Sequence, residues 1–114
     1  MGKFFYFFIF MTLSVTEKTF ETEVINSEIP VLIDFWAPWC GPCRMLGPVI
    51  DDIAGERQDF KCVKINVDEN TDLAAQFRVQ SIPFLVVMKS GKPVAAKAGA
   101  SSKEDLLHWI NQHI

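Results

Sequence analysis

The sequence has no run of like charges, no internal repeat and no linker of low complexity. These absences exclude a charged tail and any segment with the composition of disorder. It also lacks a basic surplus, since eleven Lys and Arg stand against fourteen Asp and Glu for a net charge of −3. A nucleic-acid binder presents a basic face, so that class is set aside. Cysteine is scarce and odd in number, at Cys40, Cys43 and Cys62. Three cysteines make a poor disulfide framework for a domain of this size. There is no second Cys-x-x-Cys, and His108 and His113 are five residues apart, off a common helix face. A zinc site of about four ligands therefore finds too few donors. The longest apolar stretch, from Phe4 to Val15, covers twelve residues. As a helix it would reach about 18 Å, short of a ~30 Å hydrocarbon core.

What is present suits one globular domain. The 114 residues are 49% hydrophobic, enough to bury a core without staples. The start is unusual: Met1-Gly2-Lys3 leads into Phe4-Phe5-Tyr6-Phe7-Phe8-Ile9-Phe10-Met11, with half of all the phenylalanines. Residues 1–11 are expected to be an apolar N-terminal extension or leader, and residues 12–114 the domain. Three readings of the extension stay open. Translation begins at Met11; or Lys3 and the apolar run form a secretory or anchor segment with a weak cleavage signal at Thr12-Leu13-Ser14; or the extension is ordered.

The remaining pattern alternates strands and helices. Leu13 to Val15 is a short strand. Glu17 to Ile25, with Phe20 and Val24 at helical spacing and Thr16 as N-cap, predicts a short helix. Val31-Leu32-Ile33-Asp34-Phe35-Trp36 reads as a strand buried on both faces. From Cys43 to about Gly55, apolar residues recur at three and four, which predicts a helix with a kink at Pro48. Phe60 to Val67 is a strand, Leu73 to Phe77 a short helix, and Ile82 to Met88 a third long strand. Lys89-Ser90-Gly91-Lys92 is a hairpin turn, and Pro93 to Ala98 pairs back. Ser101-Ser102-Lys103-Glu104 reads as a capping box for a last helix with Leu106, Leu107, Trp109 and Ile110 on its apolar face. The predicted order is βαβαβαββα, an α/β fold. Right-handed crossovers place helices on both faces of a central mixed sheet.

Cys40-Gly41-Pro42-Cys43 sits where a strand gives way to a helix. Cys40 falls at the helix N-terminus, where unpaired N–H groups and the helix dipole favour a thiolate. Its pKa is expected below the ordinary thiol value of about 8.5. Cys43 lies one turn further on, facing inward, and can resolve a mixed disulfide formed at Cys40. Pro42 fixes φ for the helix start, where its missing N–H costs nothing. A purely structural disulfide across so short a loop would stabilise little. Cys62 alternates with Phe60 and Lys64 on a buried strand and reads as a core thiol.

The segment Phe35-Trp36-Ala37-Pro38-Trp39-Cys40-Gly41-Pro42-Cys43-Arg44-Met45 resembles the active-site segment of the thioredoxin family. Pro48, Lys64-Ile65-Asn66-Val67-Asp68, Ser81-Ile82-Pro83, Gly91 and Gly99 fall at that family's spacings. The resemblance covers about Met11 to Ile114, and the Trp-Cys-Gly-Pro-Cys motif is highly specific. It implies a thioredoxin fold with a sheet of four to five strands. It also implies a cis Ile82–Pro83 bond beside the sulfurs and an apolar docking surface. That surface comprises Trp39, Gly41, Pro42, Val67, Ile82, Pro83, Gly99 and Ala100. Asp34, an acid within a buried strand, is expected to have a raised pKa. The family reading makes it a proton relay to Cys43 through water, with Lys64 as ionic partner; the alternative is a carboxylate that meets solvent at the strand end.

The resemblance implies a protein-disulfide reductase with a redox-active Cys40–Cys43 disulfide and no bound cofactor. The resemblance also implies a reducing protein, with a potential near the family's value of about −270 mV. Implied partners are disulfide-bearing target proteins and a thioredoxin reductase, linked to NADPH or to ferredoxin. A monomer in the cytoplasm or an organelle stroma is expected. Two rivals stay open: an exported reductant tethered to a membrane through residues 1–15, and a scaffold subunit in which the redox pair is incidental. The chain departs from the family pattern at Phe84, where a small or hydroxyl residue is common. It departs again at Arg78 and Gln80, where Gly and Arg are usual. These departures bear on partner preference.

Overall fold

The computed structural model describes residues 12–114, so the expected extension at residues 1–11 lies outside the described residues. Five strands form one sheet: β1 (Leu13–Ser14), β2 (Val31–Trp36), β3 (Lys61–Asn66), β4 (Phe84–Lys89) and β5 (Lys92–Ala98), in the order β1-β3-β2-β4-β5. The pairs β1·β3 and β2·β3 are parallel, while β2·β4 and β4·β5 are antiparallel. Three α-helices accompany it: α1 (Gly41–Glu56), α2 (Thr71–Gln76) and α3 (Lys103–Asn111). The predicted α/β architecture and the chain order of its elements are present.

β2 is central, which is why its apolar run is unbroken except at Asp34. Strand alternation sends Val31, Ile33 and Phe35 to one face, where they meet Val63, Ile65, Val86 and Met88. Phe20, Val24 and Leu73 cover that face. Leu32 goes to the other face with Cys62, Leu85 and Val87, beneath Leu46, Ile50 and Ile53 of α1 and Leu106 and Ile110 of α3. Each fully buried Leu or Ile in these two layers contributes roughly 1.5–3 kcal/mol. The second layer holds α1 against the sheet, and so holds the N-terminal end of α1 above the C-terminal end of β2.

Local structure departs from expectation in three places. The segment predicted as a helix from Glu17 is first a turn. Thr16 N–H donates to Thr19 Oγ1 (3.0 Å) and Lys18 N–H to Thr16 Oγ1 (3.3 Å). Hydroxyl bonding of this kind competes with helix initiation. The helical part is Glu21–Ile25, a π-turn entered through Phe20 and closed by Asn26 N–H donating to Glu21 O (2.9 Å). The last helix is capped by Ser102, whose Oγ accepts from Asp105 N–H (3.1 Å), one residue later than the expected Ser101. Two adjacent serines each have an acid three residues on, so the pattern fits either register. Finally, α2 ends in a left-handed residue that is not glycine: Arg78 has φ +55°. Val79 N–H donates to Ala74 O (2.9 Å) and Arg78 N–H to Ala75 O (3.0 Å), the paired bonds of a Schellman cap. That conformation costs a non-glycine residue roughly 1 kcal/mol or more.

α1 runs through Pro48, which is exposed, so the ring meets solvent and not the core. The hairpin between β4 and β5 turns at Ser90 and Gly91, both with positive φ (52° and 76°), as a two-residue turn of matching twist requires.

Candidate active site

After β2 the chain turns at Ala37, whose carbonyl accepts from Cys40 N–H (3.1 Å). Cys40 keeps extended angles (φ −86°, ψ 113°) and is the N-cap of α1. Its Sγ accepts from Cys43 N–H at 3.2 Å, the bond that a capping hydroxyl makes elsewhere. Gly41 and Pro42 fill the first two helical positions, so Pro42 removes only an N–H that has no helical partner. Cys40 and Cys43 are joined in a disulfide with Cα atoms 5.2 Å apart, and both are buried. No acid lies in the first turn of α1, so the Cys40 sulfur alone faces the positive end of that helix.

Several expected site residues gather here. Ala37, Cys40 and Cys43 form one buried cluster, with Trp36, Val67 and Ile82 packed against it. The Ile82–Pro83 peptide is cis, as the resemblance implied, and the Ile82 carbonyl oxygen lies 3.8 Å from Cys40 Sγ. Gly99 N–H donates to Pro83 O (2.8 Å), which ties the end of β5 to this loop, and Gly99 is left-handed at φ +93°. Trp39 is 68% exposed beside the cysteines, although a large apolar ring ordinarily hides. Its indole Nε1–H donates to Asp68 Oδ2 (2.9 Å), which fixes the ring. Ala100 follows Gly99 on the surface, and no described contact joins it to the sulfurs.

Asp68 is a site residue that the sequence reading missed in this role. It stands at the end of the Lys64–Asp68 segment, but nothing in the one-dimensional pattern links it to Trp39. Asn70 was missed as well. It is buried, accepts from Glu17 N–H through Oδ1 (3.0 Å) and donates through Nδ2 to Asn66 O (3.0 Å), bracing the loop beneath Val67 and Asp68.

Asp34 is 4% exposed, and its Oδ1 has no hydrogen-bond partner among the described residues. It shares the α1 face of the sheet with Leu32 and stands in register with Lys64 on β3 and Leu85 on β4. Burial pushes its carboxyl up to about 7, against the pull of the Lys64 ammonium, with the Asp51 carboxylate adding a smaller push. So deeply buried, the carboxylate does not meet solvent at the strand end, as the alternative expected. Lys64 Nζ lies 5.6 Å from the centre of the Trp36 ring, so one cation touches both the buried acid's field and the active-site wall. Cys62 is buried and free, and burial pushes its thiol up to about 12. It is a core thiol, unreactive at neutral pH.

Among the departures from the family pattern, Phe84 is half-buried and packs toward the core, its ring 6.4 Å from Phe35. Arg78 and Gln80 are exposed on the segment leading to Ile82.

A sulfur capping a helix, bonded to a second sulfur one turn on and backed by an acid that titrates near neutrality, defines a thiol–disulfide oxidoreductase. Comparison with known proteins narrows the class. The thioredoxin family model matches residues 11–112. The chain is 52% identical over 103 residues to a thioredoxin of Haemophilus influenzae, covering 90% of this chain and 96% of that one. It is 49% identical over 102 residues to thioredoxin 1 of Synechococcus elongatus (89% and 95%). Against a thioredoxin of Pyropia yezoensis it is 50% identical over 101 residues (88% and 94%). The chain belongs to the thioredoxin family and is a protein-disulfide reductase. Among the described residues no helix is long and apolar enough to cross a membrane, and no group of three side chains is placed to hold a metal ion.

Proposed function

We propose that reduced Cys40 is the nucleophile and Cys43 the resolving thiol. The Cys40 thiolate attacks one sulfur of a target disulfide, forming a mixed disulfide and releasing one target thiolate. Cys43 then attacks Cys40 Sγ, closing the Cys40–Cys43 bond and releasing the second target thiolate, so two electrons pass to the target. Asp34, through water, takes the Cys43 proton in this second step, with Lys64 moderating its affinity for that proton. The observation that carries the assignment is the hydrogen bond from Cys43 N–H to Cys40 Sγ, since it marks the sulfur stabilised as an anion.

Trp39, Gly41, Pro42, Val67, Ile82, Pro83, Gly99 and Ala100 form the docking surface. The free main chain beside the cis bond pairs with an extended target segment. The electrons pass between sulfur atoms alone, so the reaction calls for no bound cofactor. A thioredoxin reductase, linked to NADPH or ferredoxin, restores the dithiol. The protein works as a monomer in the cytoplasm or an organelle stroma. The Phe-rich residues 4–11 support a second reading of place, export or membrane tethering through residues 1–15, which fractionation of the native protein decides.

The test is trapping. Cys43→Ser should accumulate a mixed disulfide with a disulfide-bearing protein such as insulin, attached at Cys40. Cys40→Ser should accumulate none; an adduct on Cys43 in that variant would reverse the two roles.

A further inference from the structure

The sequence holds three arginines, and two of them are tied down. Arg44 donates to Pro38 O (3.3 Å), and Arg57 makes a two-pronged contact with Asp59 (2.8 and 2.7 Å). Among the described residues the guanidinium of Arg78 makes no hydrogen bond and no ion pair. It is exposed, while its neighbours Phe77 and Val79 pack against the core and fix the backbone between them. That backbone is left-handed at φ +55°. Glycine would adopt it freely and asparagine with little cost. A long cation held there, without a partner in its own chain, points to a function outside the fold.

The position supplies one. Ile82 lies four residues on, so the two Cα atoms are within about 14 Å of each other. The Ile82 carbonyl oxygen is 3.8 Å from Cys40 Sγ. Arg78 is also the one cation between Phe77 and Phe84, since Gln80 is neutral. Arg78 is thus joined by one four-residue segment to the carbonyl that faces Cys40 Sγ, and its guanidinium is the only one of the three without a hydrogen bond among the described residues.

We propose that Arg78 is a specificity-determining residue that selects disulfide partners bearing a carboxylate beside the bond to be reduced. The proposal rests on the reductase reading above. The guanidinium fork pairs with a carboxylate at the rim of the docking surface, where it raises the association rate and orients the partner without entering the sulfur chemistry.

The test uses three synthetic peptide disulfides identical except for a flanking Asp, Asn or Lys, reduced by the full chain at low ionic strength. The Asn-flanked peptide reports the redox reaction itself, so failure of the reductase reading appears there and in the parent protein. The ratio of Asp-flanked to Asn-flanked rates reports Arg78. Arg78→Asn, which accepts the left-handed backbone, should slow the Asp-flanked peptide by about three- to tenfold and abolish the salt dependence of that ratio. It should leave the Asn-flanked rate unchanged. Arg78→Lys should restore the preference. An unchanged ratio in Arg78→Asn, or an equal loss on all three peptides, would overturn the proposal.

Discussion

The chain begins two of its helices in the same way and uses them for different ends. At α3, Ser102 Oγ accepts the N–H of the residue three on, Asp105, at 3.1 Å. At α1, Cys40 Sγ accepts the N–H of the residue three on, Cys43, at 3.2 Å. The geometry is one capping bond in both places. The charges around it differ: the first turn of α3 carries Glu104 and Asp105, whereas the first turn of α1 carries no acid. At α3 the positive end of the helix is answered by surface carboxylates. At α1 it is left for the sulfur, and the acid that belongs to the site, Asp34, is buried in the sheet beneath. A stabilising motif becomes a reactive one when the capping atom is a thiol and its competitors are removed.

Substitution at each start breaks this comparison differently. Cys40→Ser keeps a capping atom but loses the nucleophile, so insulin reduction should fall by at least about a thousandfold. The fold of the reduced variant should survive, with a stability change within about 1 kcal/mol by denaturant titration. Unfolding of that variant would mean that the sulfur holds the helix start in a way that an oxygen cannot.

Asp34 separates the two starts next. Its carboxyl is raised from the ordinary 3.8 to about 7, so the folded protein keeps a proton that the unfolded chain has already lost. The stabilising effect of that retained proton is whole below about pH 4 and disappears as pH rises through about 7. Between pH 5 and 8 the parent should therefore lose on the order of 2–3 kcal/mol relative to Asp34→Ala, read from urea titrations at each pH. A pH-independent difference would place the acid in water. The same variant should slow release of the mixed disulfide by about a hundredfold at pH 7.

Ser102→Ala removes the non-redox cap. It should cost about 1 kcal/mol and leave the rate of disulfide reduction unchanged. The smallest effect belongs to a helix end with no capping side chain at all: Arg78→Gly relieves the left-handed backbone of α2 and should raise stability by about 0.5–1 kcal/mol.

The difference between the two starts was only half legible in the sequence. Cys40-Gly41-Pro42-Cys43 announced itself because Pro42 and the following apolar spacing fix where α1 begins. Ser101 and Ser102 did not, because either serine has an acid three residues later and only packing of Leu106 and Ile110 chooses the register. The strands were legible wherever burial is two-sided, as in Val31 to Trp36. The helix proposed from Glu17 was not, because Thr16 and Thr19 offered the backbone hydroxyl partners that no periodicity reveals. In the site itself, the sulfurs and the buried acid stood out as anomalies of type: a cysteine pair, and a carboxylate in an apolar run. Asp68 is an ordinary surface acid until the fold brings it to Trp39 Nε1, and the left-handed backbone of Arg78 is hinted at only by the Gly usual in the family at that position, not by the arginine itself.

The most direct measurement is the pH dependence of Cys40 alkylation in the reduced protein, followed by mass spectrometry of the modified peptide. A helix-capping thiolate predicts a rate that reaches its plateau well below pH 8.5, with Cys43 and Cys62 unmodified over the same interval. A Cys40 rate that climbs only around pH 8.5, as an unassisted thiol does, would contradict it.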